Sequence, residues 1–146
     1  GPGAVPVAAA EGLARLADRA GRDPSQTARS APAKHRHFQL ALDYALYRFG
    51  QKDRIGEMAR ELDSTRYDTQ VYNYFLEFTP AQLVDLYPIL RTSKGDLRIK
   101  LLQILGLRGD AKTLEEVEQY THDSNSDTAS AALMAVRRIQ ARTGGA

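Results

Sequence analysis

Cysteine and tryptophan are absent from this sequence, and no stretch approaches the run of about 20 apolar residues that a membrane-spanning helix needs. Without cysteine there is no disulfide, no thiolate metal ligand, no cysteine nucleophile and no thioether link to a chromophore. Cytoplasmic and periplasmic proteins both tolerate that lack. Neither sign of charge dominates: 20 lysines and arginines stand against 18 aspartates and glutamates, for a formal net charge of +2. Such a balance makes no polybasic surface, which argues against nucleic acid as the partner. The chain also lacks a glycine-rich phosphate loop, a serine in a nucleophile elbow and a His-Glu dipeptide. His35 and His37 stand two apart, about 200° around a helix, and cannot both face one ion, while His122 is isolated. These absences lead us to expect a non-enzymatic chain with no metal and no cofactor.

The sequence does hold a persistent three-and-four spacing of apolar residues, with no period-two alternation, and this predicts an all-α fold. Gly1-Pro2-Gly3 reads as the remnant of a cleaved tag. Leu13, Leu16, Ala17 and Ala20 then mark one helix, and residues 22–33 form a linker rich in aspartate, proline, serine and threonine. Residues 1–34 are thus tag remnant, N-terminal helix and linker, and residues 35–146 are the repeat domain. In that domain Phe38, Leu42, Ala45, Leu46 and Phe49 make a stripe closed by Gly50, followed by Ile55, Met58, Ala59 and Leu62. The next pair is Val71, Tyr74, Phe75, Phe78 and then Leu83, Leu86, Tyr87, Leu90. Thr79-Pro80-Ala81-Gln82 opens its second helix as a capping box with proline at the first position. Pro88 should bend that helix near Val84, because it lacks an N–H and crowds the carbonyl four residues back. The third pair is Leu97, Leu101, Ile104, Leu105, interrupted from Gly106 to Asp110, then Leu114, Val117 and Thr121, with a second capping box expected at Thr113 and Glu116. The last helix would turn Ala129, Ala132, Leu133, Val136 and Ile139 inward and end at Gly144.

The pairs recur in register. "LDYALYRFGQKDRIGEMARELD" overlays "LLQILGLRGDAKTLEEVEQYTH" with Leu42 on Leu101, Leu46 on Leu105, Gly50 on Gly109 and Met58 on Val117. A two-helix unit recurring about every 30 residues predicts a solenoid, in which each pair buries its apolar face against a neighbour. In this register Arg108-Gly109-Asp110 is the joint of a helix pair rather than an adhesion signal. Gly109 should take a positive φ to end one helix, and Asp110, replaceable by glutamate, should stand just before the next.

The run "GDLRIKLLQILGLRGDAKTLEEVEQYTHDSNSDTASAALMAVRRI" resembles the short HEAT-like repeat of the phycobilisome-lyase type of HEAT proteins. Asp96 and Arg98 open the first helix, Leu105-Gly106 close its ridge, Gly109-Asp110 make the turn, and Asp127 opens the next unit. The likeness covers residues 95–141 well, residues 36–91 by register alone, and nothing before 34. It implies a right-handed α-α superhelix of about three and a half hairpins plus an N-terminal helix, acting as a scaffold or binding module for a protein or peptide. The missing cysteine argues against chromophore attachment. The second helix of each pair would line the groove with Arg54, Glu57, Arg60, Glu61, Gln82, Asp85, Glu115, Glu116, Glu118 and Gln119, with Tyr87 at the edge. An alternative aromatic face carries Tyr67 and Tyr72, a residue type favoured at interfaces. The basic clusters Arg91, Lys94, Arg98, Lys100 and Arg137, Arg138, Arg142 read as solvated flanks, with Arg98 as a structural exception. Two other roles stay open: nucleic-acid binding through those flanks, and service as an accessory domain of a larger enzyme.

Overall fold

A computed structural model describes residues 35–144, all of its regular structure helical. The expected helix at residues 13–20 and the linker at 22–33 lie outside them. The chain divides into two compact units, residues 1–61 and 62–146. No helix among the described residues is long and apolar enough to cross a membrane.

In the first unit, α1 (Arg36–Arg48) and α2 (Ile55–Arg60) pack against each other. α1 ends as its sequence predicts. Gly50 takes φ +98°, Gly50 N–H donates to the Tyr47 carbonyl, and Gln51 N–H donates to the Leu46 carbonyl, both at 2.9 Å. This is the paired closure that a left-handed glycine permits. Phe49, expected inside the stripe, is 56% exposed. It is the cap residue, where the chain has already left the helix.

Most of α1 is buried, including Asp43, whose side chain is fully inaccessible. The Arg54 guanidinium stands beside it, with Nε 3.3 Å from Oδ1, an approach that attracts but lacks the alignment of a hydrogen bond. Burial raises the Asp43 carboxyl from 3.8 to about 6, against the opposing pull of Arg54 and Arg36.

The second unit is built around α6. Its elements are α3 (Asp68–Phe75), α4 (Pro80–Leu83), α5 (Tyr87–Thr92), α6 (Gly95–Arg108), α7 (Leu114–Glu118) and α8 (Ser126–Arg142). Short 3-10 turns cover Val84–Leu86 and Ala111–Thr113. α6 buries Leu97, Leu101, Leu102, Ile104, Leu105 and Gly106, residues that span about 200° of its circumference. It touches α3, α4, α5 and α7, and packs most extensively against α8. Phe75 and Phe78 meet edge to face at 5.1 Å. The Thr79 capping box forms as expected: Gln82 N–H donates to Thr79 Oγ1 at 3.3 Å and Thr79 N–H to Gln82 Oε1 at 2.9 Å. Pro88 splits the helix rather than only bending it. α4 stops at Leu83, a 3-10 turn fills Val84–Leu86, and Pro88 sits in the first turn of α5.

Three expectations are corrected. First, α6 runs on through Gly106 to Arg108, and Gly109 has an extended backbone, φ −73°, rather than a positive one. Gly109 is needed for space: a Cβ there would meet the Leu105 carbonyl oxygen at 2.5 Å and Thr113 at 2.7 Å. Gly50 and Gly109 therefore do different work despite sharing a register. Second, the capping box joins Asp110 to Thr113, not Thr113 to Glu116. Lys112 N–H donates to Asp110 Oδ1 and Asp110 N–H to Thr113 Oγ1, both at 3.0 Å. With Arg108 directed at the Phe78 carbonyl and Gly109 buried, all three residues of the tripeptide are committed to the joint.

Third, α8 buries Thr128, Ala132, Ala135 and Ile139 and leaves Leu133 43% exposed. The cause is Gly106. A Cβ built on it would fall 2.7 Å from the Ala135 Cα, so α6 and α8 approach closely and only small side chains fit their seam.

Gly106→Ala and Gly109→Ala should each destabilise the second unit by about 1–3 kcal/mol through overpacking. Gly50→Ala should cost about 1 kcal/mol through its backbone conformation. Asp110→Glu, expected from sequence to be neutral, should cost about 1 kcal/mol because the longer side chain caps poorly. Urea unfolding of the four variants checks these values. A neutral Gly106→Ala would show that the seam is looser than described.

Asp43 gives the chain an acid-favoured stability. The folded protein holds this proton more tightly than the unfolded chain, so the contribution is full below about pH 4 and is lost as pH rises through about 6. Between pH 4 and 7 the protein should lose about 2–4 kcal/mol relative to an Asp43→Asn variant measured in parallel. Parallel pH profiles for the two proteins would contradict this.

Candidate functional site

The groove residues read from the sequence fall in both units, and many are already engaged. In the first unit the Arg54 side chain is 11% exposed and bridges Asp43 and Glu57, the latter at 3.0 Å. Glu61 pairs with Arg36 at 3.0 Å. Glu57 and Arg60 are exposed. In the second unit Gln82 is held in the capping box, and Asp85 is half-buried. Tyr87 is half-buried and shares a hydrogen bond with Thr113, its phenol raised chiefly by burial. Glu115, Glu118 and Gln119 are exposed on or just beyond α7, with the Gln119 amide donating to the Glu115 carbonyl at 3.3 Å. Glu116, expected at the groove surface, is buried. Arg91 grips it with two donors, Nε to Oε1 at 3.0 Å and Nη2 to Oε2 at 2.9 Å.

Much of the first basic cluster and the end of the second are likewise engaged. Arg98 donates to Asp123 at 3.2 Å and to the Arg91 carbonyl at 3.1 Å, and its guanidinium lies 4.8 Å over the Tyr120 ring. Lys100 donates to the Leu62 carbonyl at 2.6 Å and to Asp68 at 3.3 Å. The Lys100 bond is the main reason the Asp68 carboxyl lies below its ordinary value. Arg142 donates to the Gly109 carbonyl at 2.6 Å. So Arg98 ties elements together, and Arg91, Lys100 and Arg142 do the same, although Arg91 and Arg142 remain exposed. The sequence did carry a signal for this. Arg36 with Glu61, Arg91 with Glu116 and Arg98 with Asp123 share one spacing, a cation followed 25 residues later by a carboxylate.

A shallow concavity lies on the aromatic face. Asp68, Thr69 and Tyr72 of α3 and Lys100 of α6 line a shallow cleft of about 110 Å³. α3 sets the spacing: residues 68, 69 and 72 stand on one side of the helix because positions three and four apart stack. Its inward residues Val71, Tyr74 and Phe75 anchor it. Burial raises the Tyr72 phenol, with the charge of Arg138 pulling the other way. Two of the three protons on the Lys100 ammonium are used, leaving one for a ligand acceptor. Tyr67, half-buried at the start of α3, is fixed by its N–H to Ser64 Oγ at 3.3 Å and does not line the cleft. The cleft thus offers an aromatic wall, one ammonium donor and a small apolar floor, which are elements of recognition. Among the described residues there is no group of three His, Asp or Glu side chains placed to hold a metal ion.

Comparison with protein-family models, with curated proteins and with solved structures finds no match to this chain.

Proposed function

We propose that this chain is a non-enzymatic interaction module of the HEAT-like class, and that it holds a protein or peptide segment on the α3–α6 face. One recurrence favours the repeat reading. Near the end of α6, Arg108 is directed at the Phe78 carbonyl, and near the end of α8, Arg142 bonds the Gly109 carbonyl. The same device, an arginine closing a helix onto the preceding joint, thus appears one helix pair later. A right-handed superhelical arrangement of the pairs is part of the same proposal.

The observation that carries the binding reading is the cleft at Asp68, Thr69, Tyr72 and Lys100. A tyrosine edge beside a pocket sized for a small side chain, with an ammonium donor at its rim, suits an extended segment that presents a small apolar residue and an adjacent carbonyl or carboxylate. The alternative surface, with exposed Glu115 and Glu118, suits a basic segment. Peptides selected on the intact chain from a random display library separate the two. Tyr72→Ala and Thr69→Arg should weaken the selected peptides at least tenfold, about 1.4 kcal/mol, with little change in melting temperature. Reversing Glu57, Asp85 and Glu118 to lysine should leave them bound. The opposite pattern would move the site to the carboxylate surface.

Nucleic acid is the weaker reading, because the pinned arginines and Lys100 are already paired. Binding of duplex or single-stranded oligonucleotides, followed by fluorescence anisotropy, should vanish by about 150 mM salt, where only multiple free phosphate contacts would sustain it. Sub-micromolar affinity at that salt would reverse the ranking.

A further inference from the structure

The outward side of α8 is as regular as its inward side. Thr128, Ala132, Ala135 and Ile139 are buried and share a narrow arc. At 100° per residue, the stripe diametrically opposite is Ser126, Ser130, Leu133, Arg137 and Ala141. All five are exposed. Leu133 and its neighbour Met134 are 43% and 45% exposed, and they stand at the midpoint of Ser126–Arg142. Serines and an alanine occupy much of the stripe, so another helix axis could approach closely and seat its own apolar residues beside these two.

Charge is distributed along the same helix with opposite sign at its two ends. Asp127 is in the first turn and Arg137 is in the C-terminal half, both exposed. Arg138 stands about 100° away from Arg137 around the helix, and Arg142 is held by the Gly109 carbonyl, so Arg137 is the cation of the outward stripe.

We propose that this stripe is where two copies of the chain meet, α8 against α8, antiparallel about a twofold axis passing between Leu133 and Met134. A twofold interface uses one patch twice, so the patch must complement itself. Here it does. Antiparallel pairing about the helix midpoint sets Leu133 beside Met134 of the partner subunit and Ser126 beside Ala141 of the partner subunit. Arg137 then lies opposite Ser130 of the partner subunit, one turn from Asp127 of the partner subunit. Parallel pairing would instead set arginine on arginine and aspartate on aspartate, which repel. Opposed helix dipoles also favour the antiparallel order. A foreign helix would have no reason to match both the central apolar pair and the end-to-end charge reversal.

One helix pair forms a small interface, so the dimer should be weak, with a dissociation constant on the order of 10 µM. Sedimentation equilibrium of the intact chain from about 1 to 300 µM, a range bracketing that value, should show a reversible monomer–dimer equilibrium. Leu133→Glu, at an exposed position that leaves the fold intact by circular dichroism, should raise the dissociation constant at least tenfold. The cysteine-free background gives a geometric check. Leu133→Cys, close to the axis, should oxidise to a linked dimer. Ser126→Cys should not, because two copies of that position would be about 20 Å apart. A chain that stays monomeric throughout the range, a dimer indifferent to Leu133→Glu, or equal cross-linking at both positions would each overturn the proposal.

Discussion

A helix buried over more than half of its circumference must be covered from several sides at once. α6 is such a helix, and the arrangement of elements within the second unit follows from that requirement. Leu97, Leu101 and Leu105 descend one side, while Leu102 and Gly106 turn another inward. The covering comes from α3, α4 and α5, and from α7 and α8. Where the wrapping is tightest, Gly106 meets Ala135, and a single absent methyl group decides which residues of α8 are buried. With Ala135 turned to that seam, helical geometry carries Leu133 and Met134 away from it.

Polar chemistry follows the same frame. Arg91, Arg98, Lys100 and Arg142 lie close to ends or edges of α5, α6 and α8, and each reaches a carboxylate or carbonyl of a different element. These contacts satisfy groups that packing would otherwise strand, Glu116 above all, whose charge would be costly if buried alone. The first unit handles its buried carboxylate differently. Asp43 has one imperfectly aligned guanidinium, and its proton affinity rises accordingly. Two buried acids in one small chain thus reach opposite solutions, one by bidentate pairing and one by partial neutralisation.

The all-helical class, most helix positions and the capped start of α4 were legible because they are local. The Thr79–Gln82 box and the break around Pro88 depend only on residues within a turn or two. The glycine at residue 50 reads correctly for the same reason, since its role is a dihedral angle. Gly109 looks identical in sequence, yet its role is a steric gap set by Leu105 and Thr113. The α8 face was misplaced because a leucine at helical spacing carries no mark of how near the next helix comes. Of the candidate site, Tyr72 was legible as an interface residue type. Its partners in the cleft were not, because Lys100 lies 28 residues along the chain and on another element. Glu116 was read as surface because its partner, Arg91, is 25 residues away.

The unequal lengths of the helices bear on how the second unit assembles. α4 spans four residues and α7 five, each hardly more than the turn that helix nucleation must fix before any stabilising bond accrues. α6, with 14 residues, and α8, with 17, are long enough to sample helix transiently. Their contact spans only the short intervening segment of chain, so its loop-closure entropy is small. Length and chain separation thus favour an early meeting of those two helices at the Gly106–Ala135 seam. The short helices have too few internal bonds to stand alone and depend on the surface that the long ones provide.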